Sequence, residues 1–264
     1  MGLMDRISNS WHLLKESWNI LLKDKELLLF PIISGIVSII ILITFLIPAV
    51  VLFVTGHSVA SAITIAIGIY LIYFVSIFFN AGVIYAANMR LQGKDPRFSD
   101  GISGAIKNIH KLFFWSLVAA TVGYILRIAS GQRGAIGRII SSILGLAWNL
   151  LTFLVIPVIL FEKKGTIDSI KRSGELFKKT WGETVVGSFS IGFIISVFIW
   201  AALLPLILSF FLSKILFNIL VVPVLLYVVI VYIIGSALNN IFKATLYIYA
   251  SSRKIPSGFT PEFV

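Results

Sequence analysis

Six long apolar runs, at about 27–54, 59–89, 112–128, 139–161, 184–212 and 215–242, are separated by short polar stretches. Roughly 20 apolar residues cross a hydrocarbon core, so the pattern predicts six transmembrane helices. Four of the runs exceed that length and must tilt, bend or protrude. Proline inside a helix removes an N–H and crowds the carbonyl four residues back, so Pro48, Pro157, Pro205 and Pro223 predict kinks. The third run is the shortest and ends at Arg127.

The polar stretch before each odd-numbered run has helical periodicity of its own. Ile7, Trp11, Leu14, Trp18 and Leu21 form one stripe, and Ile102, Ala105, Ile106, Ile109, Leu112 and Phe113 a second, with Ser99 and Asp100 as cap residues. Ile167, Ile170, Phe177 and Trp181 share a third face, on which Glu175 can pair with Lys179. SWNILLKDKE (17–26), SGAIKNIHKL (103–112) and SGELFKKTWG (173–182) align loosely. These features predict an all-α, polytopic membrane protein with a single integral domain over 1–264. It is built from three repeats of an amphipathic interfacial helix and a transmembrane hairpin, at 1–89, 98–161 and 166–250. Helices entering a membrane carry such flanks in any case, and the residues shared among the three are few.

Charge sets the orientation. Eighteen lysines and arginines flank the runs on the side of the chain start, against four (Arg127, Arg133, Arg138 and Lys214) on the other. The positive-inside rule places the first side, with both termini, in the cytoplasm. All eleven acids fall there too. The first apolar run is longer than a secretory signal core, which disfavours cleavage. A hydrophobic content of 58% and a mean hydropathy of +1.01 fit the bilayer. The net charge of +11 belongs to no nucleic-acid-binding module; it suits anionic headgroups in the cell membrane, so membrane lipids are the expected partners. A homo-oligomer is compatible with such a chain. Without cysteine there are no disulfides or thiolate metal sites.

Chemistry within the spans is sparse. His12, His57 and His110 are scattered, with no acids at ligand spacing, and no phosphate loop, catalytic elbow or metal cluster is present. No catalytic residue, cofactor or metal is expected, nor an ion-coupled mechanism built on a membrane carboxylate. Ser141, Gly145 and Asn149, and likewise Ser188, Gly192 and Ser196, recur every four residues and predict close packing of the fourth span on the fifth. Asn80, Tyr85, Asn88, Asn239 and Asn240 lie towards the inner ends of the second and sixth spans, where they line a polar vestibule or make ordinary interhelical bonds. The outer turn SGQRGAIGR (130–138) combines three glycines with Arg133 and Arg138, next to Arg127. It reads as a glycine turn with arginines snorkelling to phosphates, as a site for an anion or lipid headgroup, or as a sign that the third and fourth runs are partly re-entrant or the turn buried between helices.

YFVSIFFNAGVIYAANMRLQGKDPRFSDGI (73–102), LVAATVGYILR (117–127), AWNLLTFLVIPVILFE (147–162), SIKRSGELFKKTWGETVVGSFSIG (169–192) and ATLYIYASSRKIPSGF (244–259) resemble an uncharacterised prokaryotic family of six-helix membrane proteins, a domain of unknown function. The S-x-x-L-F-K-x-x-W-G motif is more distantly similar to the membrane domain of some glycerophosphodiester phosphodiesterases. Neither resemblance implies an activity or a set of functional residues. The expectation is a non-enzymatic membrane protein: a pore or facilitator for a small or anionic solute or, almost equally, a protein that binds lipid or scaffolds the cytoplasmic leaflet. A membrane enzyme of lipid metabolism is a third reading without a catalytic constellation.

The cysteine-free sequence makes the orientation testable. With Gln132→Cys, an impermeant thiol reagent should label intact cells, whereas Lys164→Cys should label only after permeabilisation. The reverse pattern would overturn the assigned orientation.

Overall fold

A computed structural model describes the backbone of residues 3–131 and 134–252. Helix α1 (Leu3–Lys23) and a 3₁₀ turn (Lys25–Leu28) lead into the hairpin α2 (Leu29–Val54) and α3 (Ser58–Leu91). A short α4 (Phe98–Ile106) precedes α5 (Ile109–Gly131), α6 (Gly134–Leu151) and α7 (Val155–Phe161). Helix α8 (Thr166–Lys179) leads into the hairpin α9 (Trp181–Leu212) and α10 (Lys214–Ser252). Among the described residues, six stretches are long and apolar enough to cross a membrane: Lys25–Val54, Ser58–Leu91, Ile109–Ala129, Ile139–Phe161, Thr184–Leu212 and Lys214–Ser251. These follow the six predicted runs, except that the last continues as helix well past residue 242.

The fourth stretch is broken. Among the four prolines, Pro48, Pro205 and Pro223 sit inside continuous helices. Pro157 instead lies just beyond a break at 152–154, because its ring crowds the carbonyl of Phe153 four residues back. The chain crosses the break in tight turns, with the Phe153 N–H donating to Leu150 and that of Val155 to Thr152. The Leu154 N–H donates to Ser173 Oγ of α8 at 3.0 Å, so a hydroxyl from another helix supplies the acceptor that the interrupted helix lacks.

Local capping also departs from the sequence pattern. The second amphipathic segment is cut at Lys107–Asn108, so Ile109, Leu112 and Phe113 belong to α5. Its cap is Arg97 rather than Ser99 or Asp100. Asp100 occupies the third helical position and accepts the Arg97 N–H at 2.8 Å, while Glu26 accepts that of Phe98 at 2.8 Å. In α8, Glu175 pairs with Arg172 one turn back, not with Lys179.

Aromatic and branched side chains seated on glycines hold the bundle. Phe30 is fully buried, and a Cβ added to Gly82 or Gly101 would come within 2.5 or 2.4 Å of its ring. Phe98 closes the same socket at a centroid distance of 4.5 Å. Gly104 receives Tyr85, Gly187 receives Phe242 and Gly235 receives Ile195. Buried side chains gather at the end carrying α4, α7 and α8, whereas the distal halves of α2, α9 and α10 expose isoleucine, leucine, valine and phenylalanine.

The expected packing of the fourth span on the fifth through small residues is not what forms. Helix α6 packs on α5 and α8, whereas α9 packs on α10 and α1. A Cβ at Gly145 or Gly192 would meet nothing within 4 Å. Ser141 and Ser196 bond within their own helices, to Gly137 and Gly192, and Asn149 is exposed. The physical reason is connectivity: α5 and α6, like α9 and α10, follow each other closely in sequence, while α7 and α8 intervene between α6 and α9.

Phe30→Ala should therefore cost about 3–5 kcal/mol of stability by leaving the double-glycine socket empty. Denaturant titration of the purified protein in mild detergent reads this as a lowered unfolding midpoint. Gly82→Val should shift it in the same direction by overpacking.

Candidate functional site

The stripe on α1 does more than cover a surface. Leu14 is buried in a cluster with Leu176, Ile191, Phe242 and Leu246, which holds α1 against α9 and α10. Beside this contact the helices part to leave a cavity of about 600 Å³. One wall is Trp11, Leu14, Lys15 and Trp18 of α1; the other is the α9–α10 hairpin, including Ile194, Phe198, Tyr227, Ile230 and Val231. Gly235 is also in the lining, and the space over it is taken by the Ile195 side chain. Lys15 is the one charged residue in this lining. It is exposed, and it makes no hydrogen bond or ion pair with the described residues. An apolar cavity with a single charged residue in its lining has the chemistry to hold an amphiphile.

An ionic cluster pins α7 to α8 and α10. Arg172 Nε donates to both oxygens of Glu162 at 3.1 and 3.0 Å, and Arg172 Nη1 to Glu175 at 3.0 Å. Lys164 reaches Glu162 at 3.2 Å, and the Tyr247 hydroxyl donates to it at 3.4 Å. The Arg172 hydrogen bond holds the Glu175 carboxyl below its ordinary pKa, while the bonds to Glu175 and then Glu162 push the guanidinium still higher. Phe161 stacks on Tyr85 and packs against Tyr247 beneath this cluster.

At the junction of α1 and α2, Asp24 is buried with Oδ2 unpartnered among the described residues. Burial raises its pKa, and Arg90 opposes the rise only in part. Arg90 is engaged elsewhere, with Asp95 and with the carbonyls of Lys94 and Lys23.

The residues singled out in the sequence are distributed as follows. Asn240 Nδ2 donates to Asn80 Oδ1 at 2.8 Å and to the Ser236 carbonyl at 2.9 Å, joining α10 to α3. Asn240 Oδ1 has no partner among the described residues. Asn88 is buried, Asn239 half-buried, and the Tyr85 ring fills the space over Gly104. Arg127 is exposed on α5. Arg133 lies outside the described residues, as do the side chains of Arg138 and Ser188. Among the described residues no three His, Asp or Glu side chains converge as a metal site would require. Sequence reasoning missed Lys15 and the Glu162–Arg172–Tyr247 cluster. Lys15 counted only as a flanking charge, although its place between Trp11, Leu14 and Trp18 on one helix face was the available signal.

The model of a family of unknown function, DUF6159, matches residues 67–259. The chain belongs to that family. In this DUF6159 member the α9–α10 wall of the cleft falls inside the matched stretch, whereas α1 precedes it. No curated protein and no solved structure matches the chain.

The buried carboxylate gives a pH prediction. A raised folded-state pKa means that the contribution of Asp24 is favourable below the ordinary value of 3.8 and is lost as pH rises through the folded value. Asp24→Asn should thus raise the unfolding midpoint at pH 7 relative to the unsubstituted protein. The gain should shrink as the carboxyl protonates in acid, followed by thermal unfolding in detergent across that pH range.

Proposed function

We propose that this DUF6159 member is a non-enzymatic, multi-pass membrane protein that holds a long-chain lipid, with the acyl chain lying in the cleft between α1 and the α9–α10 hairpin. The cleft is the observation that carries this reading. From Leu238 to Tyr227 its α10 wall rises about 16 Å at 1.5 Å per residue, comparable with half of a roughly 30 Å hydrocarbon core. Its walls are aliphatic and aromatic, with Ile195 seated on Gly235 between α9 and α10. Both termini face the cytoplasm on the charge pattern, which puts Lys15 and the two tryptophans at the inner leaflet. The reading as a pore lined by asparagines gains no support from Asn80 and Asn240, whose amides bond to each other across α3 and α10.

Native mass spectrometry of the purified protein tests this. After a detergent wash the protein should retain one phospholipid per chain, and Val231→Trp, which fills the slot, should cut that fraction severalfold. Ile43→Trp, on the exposed face of α2, should leave it unchanged. Equal retention by the Val231 variant, or no retained lipid at all, would sink the proposal.

A further inference from the structure

The lipid-holding reading leaves open what would make one lipid preferred, and a physical constraint narrows the answer. Inside a bilayer an acyl chain is already surrounded by other acyl chains, so entering an apolar slot yields no hydrophobic gain. Apolar walls fit almost any chain of suitable length. Discrimination must therefore arise at the polar end, where the one charged residue of the lining, Lys15, is exposed.

Resting on that reading, we infer that the cleft selects an anionic phospholipid, with its phosphate at Lys15 between Trp11 and Trp18 and its chain running along Ile194, Phe198 and Ile230. Four observations converge on this occupant. Lys15 is exposed yet has no carboxylate partner among the described residues, so its charge is uncompensated by the protein. Trp11 and Trp18, which are 61% and 43% exposed at one turn on either side of Lys15, have the amphipathic rings that settle at headgroup level. A lysine stem can lie along the apolar wall while its ammonium stays at the wet edge. Finally, the chain carries a net charge of +11, so an anionic headgroup is also favoured by the wider field. A zwitterionic headgroup satisfies the phosphate contact but brings its own cation beside Lys15, which weakens it.

The test is competition for the cleft, with phosphatidylglycerol and phosphatidylcholine of identical acyl chains mixed in equal amounts with the full-length protein and the retained lipid read by native mass spectrometry. The unsubstituted protein should retain phosphatidylglycerol over phosphatidylcholine by about fivefold, the effect of one lysine near a headgroup. Lys15→Gln should bring the ratio close to one while lipid is still retained, and Lys15→Arg should preserve it. Lys107→Gln removes the same charge from the turn after α4, away from the cleft, and should leave the preference intact. A ratio near one in the unsubstituted protein, or an unchanged ratio in Lys15→Gln, overturns the headgroup inference while leaving lipid retention standing. Loss of preference in both glutamine variants also overturns it, since the selectivity would then belong to the overall charge. Failure to retain either lipid overturns the parent reading together with this one.

Discussion

Helices that meet in a bilayer gain little by leaving the lipid, whose chains are as apolar as leucine, so close contact has to hold them together. Here that contact is repeatedly a ring or a branched side chain set into a glycine of the facing helix. Phe30 enters the space over Gly82 and Gly101, Tyr85 that over Gly104, and Phe242 that over Gly187. Each socket locks one helix onto another, and together they concentrate the buried core at one end of the bundle. The other end, with few such sockets, exposes its isoleucines and phenylalanines. The cleft lies where the same device acts on α9 and α10 at Gly235 while α1 stands off, braced through Leu14.

Much of the fold was legible in the sequence, because span length and helical periodicity are properties of single segments. The six apolar stretches and the three polar helices between them needed no knowledge of partners. Pairing between segments was not legible. Gly145 and Gly192 look like contact residues from spacing alone, yet both face open space, while Gly82, Gly101 and Gly187 carry the contacts without a repeating stripe to announce them. The same limit applies to charge. Glu175 sits four residues before Lys179 and three after Arg172, and a guanidinium already bonded to Glu162 takes it. As for the candidate site, Trp11, Leu14 and Trp18 were readable as an apolar face, but the face of α9 and α10 opposite them was not.

The polar groups also divide by task. Glu162, Arg172, Lys164 and Tyr247 form a closed arrangement in which each charge has a partner, suited to fixing α7 and α8 in place. Asp24 and Asn240 each keep one oxygen unmatched in a buried setting, a cost that the surrounding packing must offset. Lys15 differs from both groups: it is exposed and is the one charged residue in an otherwise uncharged lining.

The hydroxyl of Ser173 that receives the Leu154 N–H has a consequence for biosynthesis. The two residues are 19 positions apart, and the donor leaves the ribosome first. For the interval in which those intervening residues are being made, the fourth span carries an unbonded amide at its break, which water or the translocation channel must satisfy. The Leu154 amide is therefore paired only once α8 has emerged and docked. The chain assembles this part of itself backwards, with the later segment completing the earlier one.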